Sequence, residues 1–272
     1  MSSFTAVAIP PEPLAVASVL GLPVHLAADY GRWLGACLKA GQGAHVVTLN
    51  AEMTMQAAQD PQLAAIIRRA DLVVPDGAGV VFHLRLRGQR IQRTPGIELA
   101  ANFLRQVGHW QRETPARRDG HSAYPIVFYG GKPGTAAAAA AYWERRVPGL
   151  TIALTQHGYL TAAEQAAFHQ QLADLQPRVI LVGLGVPRQE VWIAQQRSLC
   201  PDAIWIGVGG SFDIWAGVKA RAPLWFRRYH LEWLYRLYQE PWRWRRMLAL
   251  PQFALQSLGD YLATAVAAIV GG

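Results

Sequence analysis

At 272 residues, 51% of them apolar and 16% charged, the chain is long enough to bury a large core and too apolar to stay disordered. The formal charge of +8 is local: Lys219 to Arg246 carries eight basic residues against Glu232 and Glu240, a net +6, so that end calls for an acidic partner such as phosphate, anionic lipid or nucleic acid. Cys37 and Cys200 stand alone, which excludes a disulfide framework or a cysteine metal site and fits buried thiols in a reducing compartment.

Residues 1–18 are rich in Pro and Ala and read as a flexible N-terminal arm. VLGLPVHL reads as a strand, and AADYGRWLGACLKAG as a helix closed by Gly41. HVVTLN is a β-branched strand followed by the helical AEMTMQAAQ. Asp60 then caps a second helix with Pro61 at its first position. DLVVPDG is a strand ending in a turn, GVVFHLRLRG and PGIELAANFLRQV are helices, and 110–124 reads as a polar loop. Thereafter PIVFYGG, TIALTQHG, RVILVGLG and AIWIGVGG are strands. The helices between them include one opened by a capping box, Thr161 with Glu164. This alternation with short links predicts an α/β fold, a Rossmann-like parallel sheet with helices on both faces over 19–219. A helical, basic and aromatic appendage follows over 220–272.

Parallel sheets bind ligands beyond the carboxyl ends of their strands. The residues expected there are Thr48 and Asn50, Asp76 with Gly77, Gly130 and Gly131, Gly158 and Tyr159, Gly183, Gly185, Gln189 and Glu190, and Asp213. Each has an ordinary structural use as a turn glycine, a helix cap or a half-buried ring. Together they mark one edge of one sheet, where glycines permit close approach and helix N-termini favour an anion. GLGVPR and GVGGSF both miss the last glycine of GxGxxG, and neither a phosphate-loop lysine motif nor a DxD pair is present. The histidines are scattered. A dinucleotide site, a phosphate-loop NTPase and a DxD-held metal are therefore disfavoured.

Five blocks, TLNAEM (48–53), DLVVPDGAGVV (71–81), RTPGIEL (93–99), GLGVPRQEVWI (183–193) and GVGGSFDIWAGVKARAPLW with LEWLYRLYQEPWRWRR (207–246), resemble in order and spacing the WecG/TagA/CpsF glycosyltransferases. Leu49 stands where proline is frequent in that family, and Glu98 where aspartate is usual. The resemblance implies inverting transfer of a hexose or N-acetylhexosamine from a UDP-sugar to a polyprenyl-diphosphate-linked saccharide. It places that transfer at the cytoplasmic membrane face, in surface or secreted polysaccharide synthesis, with no metal or other cofactor. It implies Asp76 as general base, with Thr48 and Asn50 beside it and Arg93 in the pocket. Tyr159, Gln189 and Asp213 then lie around the uridine part, Gly185 is a further substrate-binding position, and Arg236, Arg243 and Arg246 face the diphosphates.

No uninterrupted apolar run reaches the roughly 18 residues of a bilayer span, and no Lys or Arg precedes Arg32 as a secretory leader requires. The Trp, Tyr and Arg of 221–247 suit the headgroup level of an anionic membrane surface. The alternative is that Arg228, Glu232 and Arg236 form an ordinary ion-pair ladder while Leu231, Leu234 and Tyr238 pack on the domain or on a second copy in a homo-oligomer. A catalytically silent membrane-surface scaffold is the rival function. A nucleic-acid binder is disfavoured because the basic residues are confined to one segment.

Overall fold

The computed structural model describes residues 11–270. In chain order the elements are β1 (Ala15–Val19), β2 (Leu22–Leu26), α1 (Tyr30–Ala40), β3 (Ala44–Leu49), α2 (Ala51–Gln59), α3 (Pro61–Arg69), β4 (Leu72–Pro75), α4 (Ala78–Leu86) and α5 (Gly96–Glu113). Then come β5 (Ile126–Gly130), α6 (Thr135–Arg146), β6 (Leu154–Gln156), α7 (Ala162–Leu175), β7 (Val179–Gly183), α8 (Arg188–Gln196), β8 (Ile204–Gly207) and α9 (Ser211–Trp215). The appendage holds α10 (Leu224–Arg228), α11 (Glu232–Gln239), α12 (Trp244–Met247) and α13 (Ala249–Val270).

Strands β3 to β8 form one parallel six-stranded sheet in the order β4-β3-β8-β7-β5-β6. Successive side chains of a strand point to opposite faces, so a strand covered on both sides must be apolar throughout. Accordingly Ile126, Phe128, Val179 and Leu181 join α1, α5, α6 and α9 on one face, while Val127, Tyr129, Ile180 and Val182 join α7 and α8 on the other. Val47, Leu49 and Val73 continue that second face beneath α2, α3 and α4. Strands β7 and β8 return between the pairs β3–β4 and β5–β6, so the carboxyl ends of β3 and β8 open side by side into one crevice.

Three segments differ from the sequence reading. The expected arm lies partly outside the described residues. Its end, Ala15–Val19, pairs antiparallel with Leu22–Leu26, so VLGLPVHL is a hairpin rather than one strand. Leu20 and Gly21 both take positive φ in its two-residue turn, the geometry that matches strand twist. Helix α5 runs on to Glu113 instead of ending in a loop. Trp110 lies against Gly35 of α1, where a Cβ would come within 2.7 Å of the ring, and Lys39 sits 4.5 Å from its centroid. That apolar anchor, invisible in a stretch of polar neighbours, prolongs the helix.

Helix α13 folds back on the body. Phe253 is buried among the residues of α2 and α4, contributing roughly 2–3 kcal/mol by apolar burial, and Asp260 pairs with Arg87 just after α4. No helix among the described residues is long and apolar enough to cross a membrane.

Candidate functional site

The crevice at the ends of β3, β4 and β8 is roofed by the appendage. A cavity of about 190 Å³ is lined by Thr48, Asn50, Asp76, Gly185, Gln189, Lys219, Arg236, Arg243 and Arg246, among others. A second cavity of about 430 Å³ adjoins it through Asp76, Arg236 and Arg243 and adds Arg93. Residues far apart in the chain therefore converge on one carboxylate.

Asp76 directly follows β4, and its backbone N–H donates to the carbonyl of Leu49 at 2.9 Å, tying the turn to β3. Burial pushes its pKa up, the Arg236 and Arg93 guanidiniums pull it down, Glu232 pushes it up and a hydrogen bond from the Gly96 backbone lowers it. The balance is about 6. Arg93 is held by Glu232 at 2.8 Å. Gly96 must be glycine because a Cβ there would lie 2.9 Å from Thr48 Oγ1. Thr48 thus packs the α5 N-terminus against the strand end. Asn50 caps α2, its Oδ1 accepting from the Met53 amide at 2.9 Å, which leaves the Nδ2 end of the amide for the cavity.

Gln189 lines the cavity but is fastened on every side. Its Oε1 accepts from the Gly185 amide at 3.2 Å and the Gly209 amide at 2.9 Å, and its Nε2 donates to Glu190 Oε1 at 2.8 Å. The side chain is 2% exposed. Its role is to brace the loops after β7 and β8, and a Cβ on Gly207 would fall 2.4 Å from its Nε2. Burial raises the Glu190 carboxyl to about 7, with the Gln189 hydrogen bond opposing.

The arginines expected around a diphosphate do reach the crevice. Arg243 is held by Glu240 at 2.8 Å and Arg246 lies 3.5 Å from Glu52. Asp213 lines neither cavity but is bound at 2.9 Å by Lys219, which lines the smaller one and also reaches Glu240 at 3.0 Å. Burial alone pulls the Lys219 ammonium down, but these two carboxylates outweigh it and its pKa ends raised. Tyr159 follows β6 at the far edge of the sheet, 62% exposed, and lines neither cavity. At strand spacing, β6 lies roughly 24 Å from β4 and so from Asp76.

Sequence reasoning did not single out Lys219, and it gave Glu232 a different partner. The ladder from Arg228 through Glu232 to Arg236 does not form, because α10 ends at Arg228 and His230 takes a φ of 60°. Glu232 begins α11 and turns to Arg93 instead. Of Leu231, Leu234 and Tyr238, the alternative packing face, Leu231 is partly buried while Leu234 and Tyr238 are 41% and 81% exposed.

The arrangement sets Asp76 among several cations, with Glu52, Glu232 and Glu240 each already paired to one of them, and is suited to proton abstraction next to a polyanion. Two curated proteins are similar to this chain over most of its length. One is an N-acetylglucosaminyldiphosphoundecaprenol N-acetyl-beta-D-mannosaminyltransferase of Bacillus spizizenii, 35% identical over 229 residues, 84% of each chain. Another of the same name, from Bacillus subtilis, is 34% identical over 219 residues, 80% of each chain. The model of the WecG/TagA/CpsF glycosyl transferase family matches residues 17–266, and the chain belongs to that family.

Proposed function

We propose that this protein moves a hexose or N-acetylhexosamine from a UDP-sugar to a hydroxyl of a polyprenyl-diphosphate-linked saccharide, inverting the anomeric centre, in the assembly of a surface or secreted polysaccharide. The observation that carries it is the meeting of Asp76 with Arg236 and Arg243 at one crevice. The names of the two relatives supply the acceptor class.

Asp76, ionised above about pH 6, takes the acceptor hydroxyl proton. The oxygen bonds to the anomeric carbon as the bond from that carbon to the diphosphate oxygen breaks, and UDP leaves with the electron pair. General-base help of this kind is worth roughly 10²–10⁴-fold. The charge gathering on UDP is met by Arg236 and by Arg243, Arg246 and Lys219, the last three exchanging Glu240 and Glu52 for phosphate oxygens. No metal or other cofactor enters this scheme. Asn50 and the loop from Val208 to Ser211 complete the nucleotide side, with Gln189 holding the loop's shape.

The exposed Trp225, Tyr238 and Trp242, at 55%, 81% and 71%, together with the surrounding arginines, support attachment to the inner face of the cytoplasmic membrane. A screen of UDP-sugars with an N-acetylglucosaminyl-diphosphate-prenyl acceptor tests the reaction. UDP release requiring both substrates is expected. Failure with every donor would favour the silent scaffold.

A further inference from the structure

One buried acid takes no part in the scheme above. Glu190 stands in the first turn of α8, is 1% exposed and lines neither cavity. Its Oε2 is buried with no hydrogen-bond partner among the described residues. Burial raises its carboxyl to about 7, opposed by hydrogen bonds from Gln189 and from its own amide, and no charged side chain among the described residues shifts it further. A first-turn acid that only favours the helix dipole does so from the surface, where water solvates the charge. An enclosed one without a counter-ion has another use.

That use lies in Gln189. The two ends of a glutamine amide have nearly the same size, so its partners alone decide which way round it sits. Oε1 receives the Gly185 and Gly209 amides, one from the loop after β7 and one from the loop after β8, and both glycines hold left-handed φ values, 76° and 51°. The other end, Nε2, donates to Glu190 Oε1 at 2.8 Å. Turned over, the amide would set its NH2 against two N–H donors. Gly207, the last residue of β8, leaves room for the pair: a Cβ there would fall 2.4 Å from Gln189 Nε2 and 3.2 Å from Glu190 Oε1. Resting on the nucleotide side assigned above, we propose that Glu190 is a positioning residue for the donor. By accepting from Gln189 Nε2 it orients that amide, and through the amide it sets the loops after β7 and β8 in the shape that receives the nucleotide. Gly185, Val186, Val208, Gly209, Gly210 and Ser211 all line the smaller cavity and none lines the larger, so a shift of either loop is felt on one side of Asp76. Asp76 itself hangs from β4 and from the Leu49 carbonyl rather than from these loops, which leaves the proton-transfer step in place.

The test measures UDP affinity of the full chain by titration calorimetry, beside the UDP-sugar KM and the kcat of transfer. Glu190→Met keeps the volume and removes the acceptor, Glu190→Asp keeps the acid and withdraws it by one methylene, and Glu190→Gln keeps a carbonyl oxygen within reach of Gln189. The first two are each expected to raise the UDP Kd and the UDP-sugar KM roughly tenfold, the effect of one unmatched buried donor, with kcat at saturating donor within about threefold of wild type. Glu190→Gln is expected to restore both constants to within about twofold. If Glu190→Met does not fold, the contrast between Glu190→Asp and Glu190→Gln gives the same reading. Wild-type affinity in Glu190→Met and Glu190→Asp, affinity in Glu190→Gln as weak as in those two, or a fall in kcat equal to the rise in KM would overturn the proposal and leave the transfer reaction standing. A wild-type chain that does not bind UDP would remove the nucleotide-side assignment as well.

Discussion

Replacing Asp76 by asparagine separates catalysis from stability with opposite signs. In the folded protein the carboxyl titrates near 6, against 3.8 for an unperturbed aspartate, because burial outweighs the nearby arginines. A raised carboxylate pKa means that the folded state favours the protonated form. Asp76 is therefore neutral to stability below the unfolded value and becomes a burden as pH rises through about 6. The span corresponds to about 3 kcal/mol as an upper figure. In a chain of this size that is about 5 °C in Tm. Asp76→Asn is expected to melt higher than wild type at pH 7.5, with the gap closing toward pH 4, while transfer falls by at least about 100-fold. Thermal melts across pH 4 to pH 8, paired with a UDP-release assay, read both. A variant that melts lower at neutral pH, or a gap that does not close in acid, would refute the electrostatic account of the site. Near-normal transfer would refute Asp76 as the base.

The neighbours of Asp76 should move the acid limb of kcat/KM in opposite directions. Glu232→Gln removes a charge that raises the Asp76 pKa and is expected to shift the limb to lower pH, whereas Arg236→Ala should shift it higher and cost roughly 10–100-fold in rate; pH–rate profiles in which both limbs move the same way would contradict this. Gln189→Leu strands the Gly185 and Gly209 amides and the Glu190 carboxyl, and is expected to destabilise by about 3 kcal/mol or more in urea unfolding. A loss under about 1 kcal/mol would return Gln189 to a ligand-contact role. Ending the chain near Ala220 should abolish co-sedimentation with anionic vesicles, and equal binding by the shortened chain would count against membrane contact through the appendage.

The sheet was legible because doubly covered strands are largely apolar, and β3, β4, β5 and β8 are buried throughout, with His45 and Thr48 of β3 as polar exceptions. Local chemistry also sufficed for the caps: Asp60 before Pro61, Gly41 in the left-handed region, and the Thr161–Glu164 box all stand as read. The hairpin at Leu20 and the extension of α5 through Trp110 were not legible, since a turn with a non-glycine at positive φ and a helix held by a distant contact leave no periodic trace. In the site, polar residues at strand ends could be found by position. The ties of Glu232 to Arg93 and of Lys219 to Asp213 and Glu240 depend on how the appendage folds over the crevice. The i, i+4 spacing of Arg228 and Glu232 suggested a pair on one continuous helix and missed the break at His230 that divides α10 from α11. Gln189 was found for its place at the crevice, while its three hydrogen bonds were not legible, because the partners belong to two loops and a neighbouring side chain.

The claim on which the account turns is that a nucleotide-linked sugar lies between Asp76 and the appendage arginines. A structure with an unreactive UDP-sugar analogue tests it most directly. Diphosphate oxygens within hydrogen-bond reach of Arg236 and Arg243, with the anomeric carbon facing Asp76, are predicted. A nucleotide seated at the far sheet edge beside Tyr159, out of reach of those arginines, would contradict it.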